Sequence, residues 1–102
     1  MARIIQADKD QTPRQFILDD DSIIIGRSKS SNIQLADSVV SGKHAEIIIE
    51  KNEKGEEVFF IQDLKSTNGC FVNKKKVSCK QLRDKDRIRI GNGSVRNSVS
   101  FL

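Results

Sequence analysis

The sequence predicts an all-β fold, a sandwich of antiparallel strands, and three observations carry that reading. Short runs rich in Ile and Val recur with turn residues between them at intervals of about 8–12 residues, the rhythm of a two-sheet architecture. No segment shows the 3.6-residue apolar period of a long amphipathic helix. One proline interrupts 102 residues, and the abundant β-branched side chains suit a pleated, half-buried surface. A chain of this length can bury about two-thirds of its unfolded surface, so residues 1–102 are expected to form a single domain.

The strands follow from alternation and turn chemistry. The first is expected at Arg3 to Gln6 and the second at Gln15 to Leu18. Ser22 to Gly26 and His44 to Glu50 contain Ile23-Ile24-Ile25 and Ile47-Ile48-Ile49, apolar on both faces, and belong at central positions. Asn52-Glu53-Lys54-Gly55 reads as a charged hairpin loop in which Gly55 can take a positive φ, leading into Glu57 to Gln62. In Arg87 to Ile90 the apolar side chains fall two apart and the charged ones occupy the other face, as in a strand with one wet side. Ser98 to Leu102 is the last strand.

Composition removes several function classes. No stretch approaches the roughly 20 apolar residues of a membrane span, and Met1-Ala2-Arg3-Ile4 does not open an apolar signal region. An intracellular, cytoplasmic and monomeric protein without a membrane partner is expected, with a nuclear location also open. Cys70 and Cys79 match neither a zinc knuckle nor a redox pair and read as reduced thiols; no metal and no cofactor is expected. The net charge of +4 favours an anionic partner. Lys74, Lys75 and Lys76 form the only tight cationic run and read as a solvated hairpin tip. Nucleic acid is disfavoured as that partner, because Tyr and Trp are absent and the Phe residues lie in apolar strand contexts rather than on a stacking platform.

Polar residues concentrate in three connections, Ser28 to Asn32, Ser41 to Lys43 and Lys65 to Asn68. Loops from alternate strand ends cluster at one rim of a sandwich, so these three can converge. Ser41 and His44 invite a catalytic reading. Three residues of separation at a strand entrance do not make a nucleophile–base pair, however, and no Gly-x-Ser-x-Gly elbow is present, so no enzyme is expected.

Five motifs occur in order: Gly26-Arg27; Asn32-Ile33-Gln34-Leu35; Asp37-Ser38-Val39-Val40-Ser41-Gly42-Lys43-His44; Asp63-Leu64-Lys65-Ser66-Thr67-Asn68-Gly69; and, after Val72-Asn73 and Leu82, Asp86-Arg87-Ile88-Arg89-Ile90-Gly91. Together they resemble the forkhead-associated (FHA) domain family across nearly the whole chain. The resemblance implies a twisted antiparallel β-sandwich of about 11 strands, of the FHA/SMAD-like kind, whose apical loops grip an extended peptide carrying phosphothreonine. The implied partner is a phosphothreonine-containing protein or peptide, bound in phosphorylation-dependent signalling.

The residue types suit that task. A phosphothreonine brings about −1.5 to −2 charges and three acceptor oxygens, so its pocket needs a cation and several donors. Arg27 offers a planar fork for two phosphate oxygens, although a strand-end arginine can also simply face solvent. By the resemblance Ser41 donates its hydroxyl to the phosphate; taken alone, a Ser ahead of a short turn also suits a local cap. Lys43 and the Gly42 N–H are further phosphate contacts, and Thr67 can donate from hydroxyl and backbone N–H. Asn68 matches the family residue that bonds the peptide main chain, while Ser28, Lys29 and Ser30 face residues after the phosphothreonine. Gly26, His44, Gly69 and Asp63 are support: His44 braces the recognition loops, Gly69 permits a positive φ, and Asp63, like Asp86, suits a loop-bracing hydrogen bond better than a metal. Two positions depart from the pattern: Gly42 stands where many members carry Arg or Asn, and Lys85 replaces a common Gly. The competing expectation is a sandwich of this type that docks partners through a flank without phosphate.

Overall fold

The computed structural model describes residues 3–6, 14–18, 21–35, 38–91 and 98–101. Eleven strands are present among them: β1 (Arg3–Gln6), β2 (Arg14–Ile17), β3 (Ser22–Gly26), β4 (Ile33–Gln34), β5 (Ala45–Lys51), β6 (Glu57–Asp63), β7 (Cys70–Val72), β8 (Lys75–Val77), β9 (Cys79–Gln81), β10 (Arg87–Ile90) and β11 (Ser98–Phe101). They form a six-stranded sheet in the order β2-β1-β11-β10-β7-β8 and a five-stranded sheet in the order β4-β3-β5-β6-β9. All pairs are antiparallel except β3 with β4, which is parallel.

β1, β3 and β10 occupy the bounds expected of them; β2 is shifted by one residue toward the N-terminus and β5 by one toward the C-terminus, and β6 runs one residue longer. The last strand ends at Phe101, and Leu102 lies outside the described residues. Four strands, β4, β7, β8 and β9, were not legible as strands from alternation. Each has two or three residues, too few to show a period, and each exists because a longer partner supplies its hydrogen bonds. The Lys run divides between them: Lys74 lies in the turn and Lys75 and Lys76 begin β8. Asn73 and Lys74 have φ of 50° and 74°, the paired positive φ of a two-residue hairpin turn.

The inward side chains of the two sheets make one core. Ile4, Ile25, Ile33, Ile47, Ile61, Ile88 and Ile90 are fully buried in it. β5 lies at the middle of its sheet with β3 beside it, as the apolar runs suggested, yet Ile24 and Ile48 on the outer face are only half-buried. The β5–β6 loop is organised by Asn52, whose Oδ1 accepts from the N–H groups of Lys54 and Glu56 at 2.9 and 3.0 Å, with Gly55 at φ 76°. At the other end of the β5–β6 hairpin Ala45 pairs with Asp63, so the residues flanking these two meet at one rim.

Candidate functional site

Gly26 closes β3 and decides how closely the rim loops pack. A Cβ there would stand 2.1 Å from the carbonyl oxygen of Gly42, so only glycine lets the two backbones touch. The ladder continues beyond β3: Arg27 N–H donates to Ser41 O and Ser28 N–H to Gly42 O, both at 3.0 Å, while His44 N–H donates to Ile25 O at 2.9 Å. Arg27 therefore has a fixed backbone, tied further by Gln34 Nε2 donating to its carbonyl at 3.1 Å, and a side chain exposed to solvent. Ser31 Oγ adds a bond to Gly42 O at 3.2 Å. Ser28 and Ser30 join their hydroxyls at 2.9 Å, and Lys29 and Ser30 are exposed at the tip of that turn.

His44 is 0% exposed and lies beneath the rim. Its Nδ1 accepts the Ser41 N–H at 3.0 Å, and its Nε2 donates to Gly69 O at 2.7 Å, so the tautomer protonated on Nε2 satisfies both. Gly69 O also accepts the Gly91 N–H at 2.9 Å, and His44 O accepts the Leu64 N–H at 2.9 Å. One imidazole thus ties the 41–43 loop to the 64–69 loop, and the Gly69 carbonyl it meets also holds the residue after β10. It is the Ser41 N–H, not its hydroxyl, that meets the ring, and both ring nitrogens are occupied; the pair is not arranged as nucleophile and base.

The 64–69 loop is shaped from within. The Asp63 carboxylate accepts from Ser66 N–H at 3.1 Å and Ser66 Oγ at 2.5 Å, and Ser66 Oγ in turn accepts the Gly69 N–H at 2.9 Å. Lys65 at φ 55° and Gly69 at φ 85° make the sharp turns this requires. Thr67 N–H donates to Ser41 Oγ at 3.2 Å, so that N–H is already engaged, in contrast to the expectation that it is free for a ligand. The Ser41 hydroxyl, acting there as acceptor, keeps its own hydrogen to donate outward, and the Thr67 side chain is exposed. Asn68 Nδ2 donates to Val39 O at 2.8 Å, leaving Oδ1 and the second amide hydrogen. Lys43 is exposed, and a Cβ at Gly42 would meet nothing within 4 Å.

The structure therefore gathers Arg27, Ser28, Ser41, Gly42, Thr67 and Asn68 through direct backbone and side-chain bonds, with His44, Gly69 and Asp63 beneath them. Lys29, Ser30 and Lys43 stand on the same loops without a bond to the opposite one. Asp37, the first residue of the third motif, lies outside the described residues. Three members of the network were not singled out from sequence. Ser31 and Gln34 act on backbone carbonyls brought close only by folding, whereas Ser66 stands three residues after Asp63, a local spacing that signals an Asx-type turn. Cys70, at the start of β7, is buried, and burial together with the Asp63 carboxylate pushes its thiol up to about 12, so it stays protonated and unreactive. Among the described residues no group of His, Cys, Asp and Glu could hold a metal, and no helix is long and apolar enough to cross a membrane.

Comparison with known proteins places the sequence and fold in one family. The probable serine/threonine-protein kinase fhkA of Dictyostelium discoideum is 37% identical over 90 residues, covering 81% of this chain and 15% of that protein. The glycogen accumulation regulator GarA of Mycobacterium tuberculosis is 38% identical over 77 residues, 76% of this chain and 44% of that protein. The chain thus spans less than half the length of these relatives. The solved FHA domain of FhaA, in complex with the intracellular domain of Rv3910, superposes with a TM-score of 0.80 at 31% identity, covering 100% of both chains. A structure from a study of phosphothreonine-dependent FHA domain interactions gives 0.79 at 33% identity, covering 99% of this chain and 95% of the other. The family model of the FHA domain matches residues 23–91, from the first buried Ile of β3 to the glycine whose N–H meets Gly69, and the chain belongs to the FHA domain family.

Proposed function

We propose that residues 1–102 form a single phosphothreonine-reading module that joins this protein to a phosphorylated partner in signalling. The observation that carries the reading is the arrangement at the rim: Arg27 has an anchored backbone and an exposed guanidinium, beside a Ser41 hydroxyl whose hydrogen is unspent. Among the described residues no carboxylate lies within salt-bridge distance of Arg27, Lys43 or Lys65. An incoming phosphate dianion supplies what these groups lack, and charge-assisted bonds to it are about twice as strong as neutral ones.

Arg27, Ser41, Gly42, Lys43 and Thr67 hold the phosphate in this scheme, Thr67 by its hydroxyl. Asn68 bonds the peptide main chain, and Ser28, Lys29 and Ser30 meet the residues that follow. The module has no catalytic activity of its own, works as a monomer inside the cell, and takes neither nucleic acid nor membrane as its ligand. Calorimetry with a phosphothreonine peptide and its unphosphorylated twin tests the reading: the first binds and the second does not. Equal binding of the two forms would replace the phosphate site with docking through a flank.

A further inference from the structure

The two sheets differ in charge. The strands of the six-stranded sheet contain Arg3, Arg14, Lys75, Lys76, Arg87 and Arg89 and neither Asp nor Glu. Those of the five-stranded sheet carry Glu46, Glu50, Glu57 and Asp63 against Lys51 and Lys80. On the outer face of the first sheet, away from the rim, a cavity of about 360 Å³ is lined by Asn73, Lys74, Arg87, Arg89 and Ser98. Its volume lies in the range that holds compact ligands.

Arg89 is the unusual member. Its register partner on the same face is Phe71, and its guanidinium lies over that ring, 4.7 Å from the centroid. Its Nε is buried without a hydrogen-bond partner, a condition that native proteins seldom leave unmet. Stacking on an aromatic face holds the guanidinium plane still, so its donors form a rigid fork. Arg87 and Lys74 are exposed and, among the described residues, have no carboxylate within salt-bridge distance. The Asn73 side chain is held by Asp86 and by the Arg87 N–H, keeping one amide hydrogen, so the cations supply the charge that defines the ligand.

The geometry points to a second anion site on this flank, formed by Lys74, Arg87 and Arg89, that takes a compact phosphate ester. Two guanidinium groups and an ammonium offer more donors than the two oxygens of a carboxylate can accept, whereas a phosphate ester presents three oxygens and nearly two charges. Such a group could be free in solution or carried on the same partner protein that places phosphothreonine at the rim. The chemistry is shared, and the sources separate experimentally.

The test is a chemical-shift titration of the 102-residue chain with inorganic pyrophosphate, for wild type, Arg27→Ala, Arg89→Gln and the double variant Lys74→Gln with Arg87→Gln. Saturating shifts are expected at Asn73, Lys74, Arg89 and Ser98, unchanged by Arg27→Ala. Each flank variant should weaken them at least about tenfold, the loss expected for a charge-assisted bond. The double variant alters exposed side chains only, so the test survives if Arg89→Gln fails to fold. A peptide carrying phosphothreonine and a second phosphorylated residue, compared with its singly phosphorylated form, then identifies the source. At least about tenfold tighter binding that is lost in the double variant means a protein-borne phosphate, and pyrophosphate binding without that gain means a free one. Absence of flank shifts with both probes overturns the site. So does saturation by a Glu-rich peptide or a single-stranded oligonucleotide at lower concentration than pyrophosphate, which would make the flank a carboxylate or nucleic-acid surface.

Discussion

The two ends of this sandwich are each fastened by one buried polar side chain, and they use it differently. At the rim, the His44 ring ties two loops together and leaves the hydroxyls and cations above it facing outward. At the opposite end, Asp86 collects the Arg83 N–H and the Asn73 amide, each at 2.9 Å, with Lys80 Nζ at 3.9 Å. Asn73 Oδ1 accepts the Arg87 N–H at 3.0 Å, so the Asp86 and Asn73 side chains are bonded to each other and to nearby backbone. A buried brace is therefore common to both ends. At the rim the groups directly above the brace stay open to a ligand, whereas Asp86 and Asn73 spend their bonds on each other and on neighbouring backbone, with only the Lys74 and Arg87 cations beside them unpaired among the described residues.

The largest expected effect comes from removing each brace. His44→Ala strands the Ser41 N–H, at about 1–3 kcal/mol for a buried group, and removes one of the two donors to the Gly69 carbonyl, which keeps the Gly91 N–H; it should lower both thermal stability and phosphopeptide affinity. Asp86→Ala strands its own donors and should cost about 1–3 kcal/mol of stability while leaving affinity unchanged. Denaturation and calorimetry on both variants check the contrast. Loss of affinity in Asp86→Ala equal to that in His44→Ala would erase the distinction between the ends.

Arg27 sharpens it from the binding side. Arg27→Lys keeps the charge but loses the fork, so it should behave like Arg27→Ala, each costing on the order of 1.5–3 kcal/mol in phosphopeptide binding. Melting temperature should hardly move, since the guanidinium is exposed. Full affinity in Arg27→Lys would rule out a bidentate contact.

Asn68 divides the rim itself. Asn68→Ala should weaken a full phosphothreonine peptide by roughly 1 kcal/mol and leave the weak binding of free phosphothreonine nearly unchanged, as read by chemical-shift titration. Because Asn68 Nδ2 also holds Val39 O, equal weakening of both ligands would show that it acts by shaping the phosphate loop.

The smallest effect is in pH. Burial works against the ionised form of Asp86, but the Arg83 N–H, the Asn73 amide and the charges of Lys80 and Arg83 outweigh it and hold its carboxyl below the usual value. A carboxyl lowered on folding contributes stability above its unfolded pKa and loses it as pH falls through the folded one. The stability gap between wild type and Asp86→Asn should therefore narrow as the medium is acidified through the carboxylate range. A gap that stays constant would show that Asp86 acts by shape and hydrogen bonds alone.

Some of this was decided by sequence. The isoleucine runs of β3 and β5, the alternation of β10 and the Asn52–Gly55 turn are local patterns, and local patterns fix strands long enough to show a period. The five motifs identified the family and the rim residues because their order along the chain is itself information. Tertiary structure decided the rest. β4, β7, β8 and β9 are too short to carry a period and are made by their partners' hydrogen bonds. That Gly26 must be glycine depends on the Gly42 carbonyl, and that the Thr67 N–H is spent depends on the Ser41 hydroxyl. Alternation alone sets Arg87 and Arg89 on one face, but only the register of β7 against β10 brings Phe71 beside Arg89, and only the β7–β8 turn brings Lys74 to them. A side chain's type is written locally, but which of its hydrogen-bonding groups remains unspent is settled by neighbours that folding brings from elsewhere in the chain.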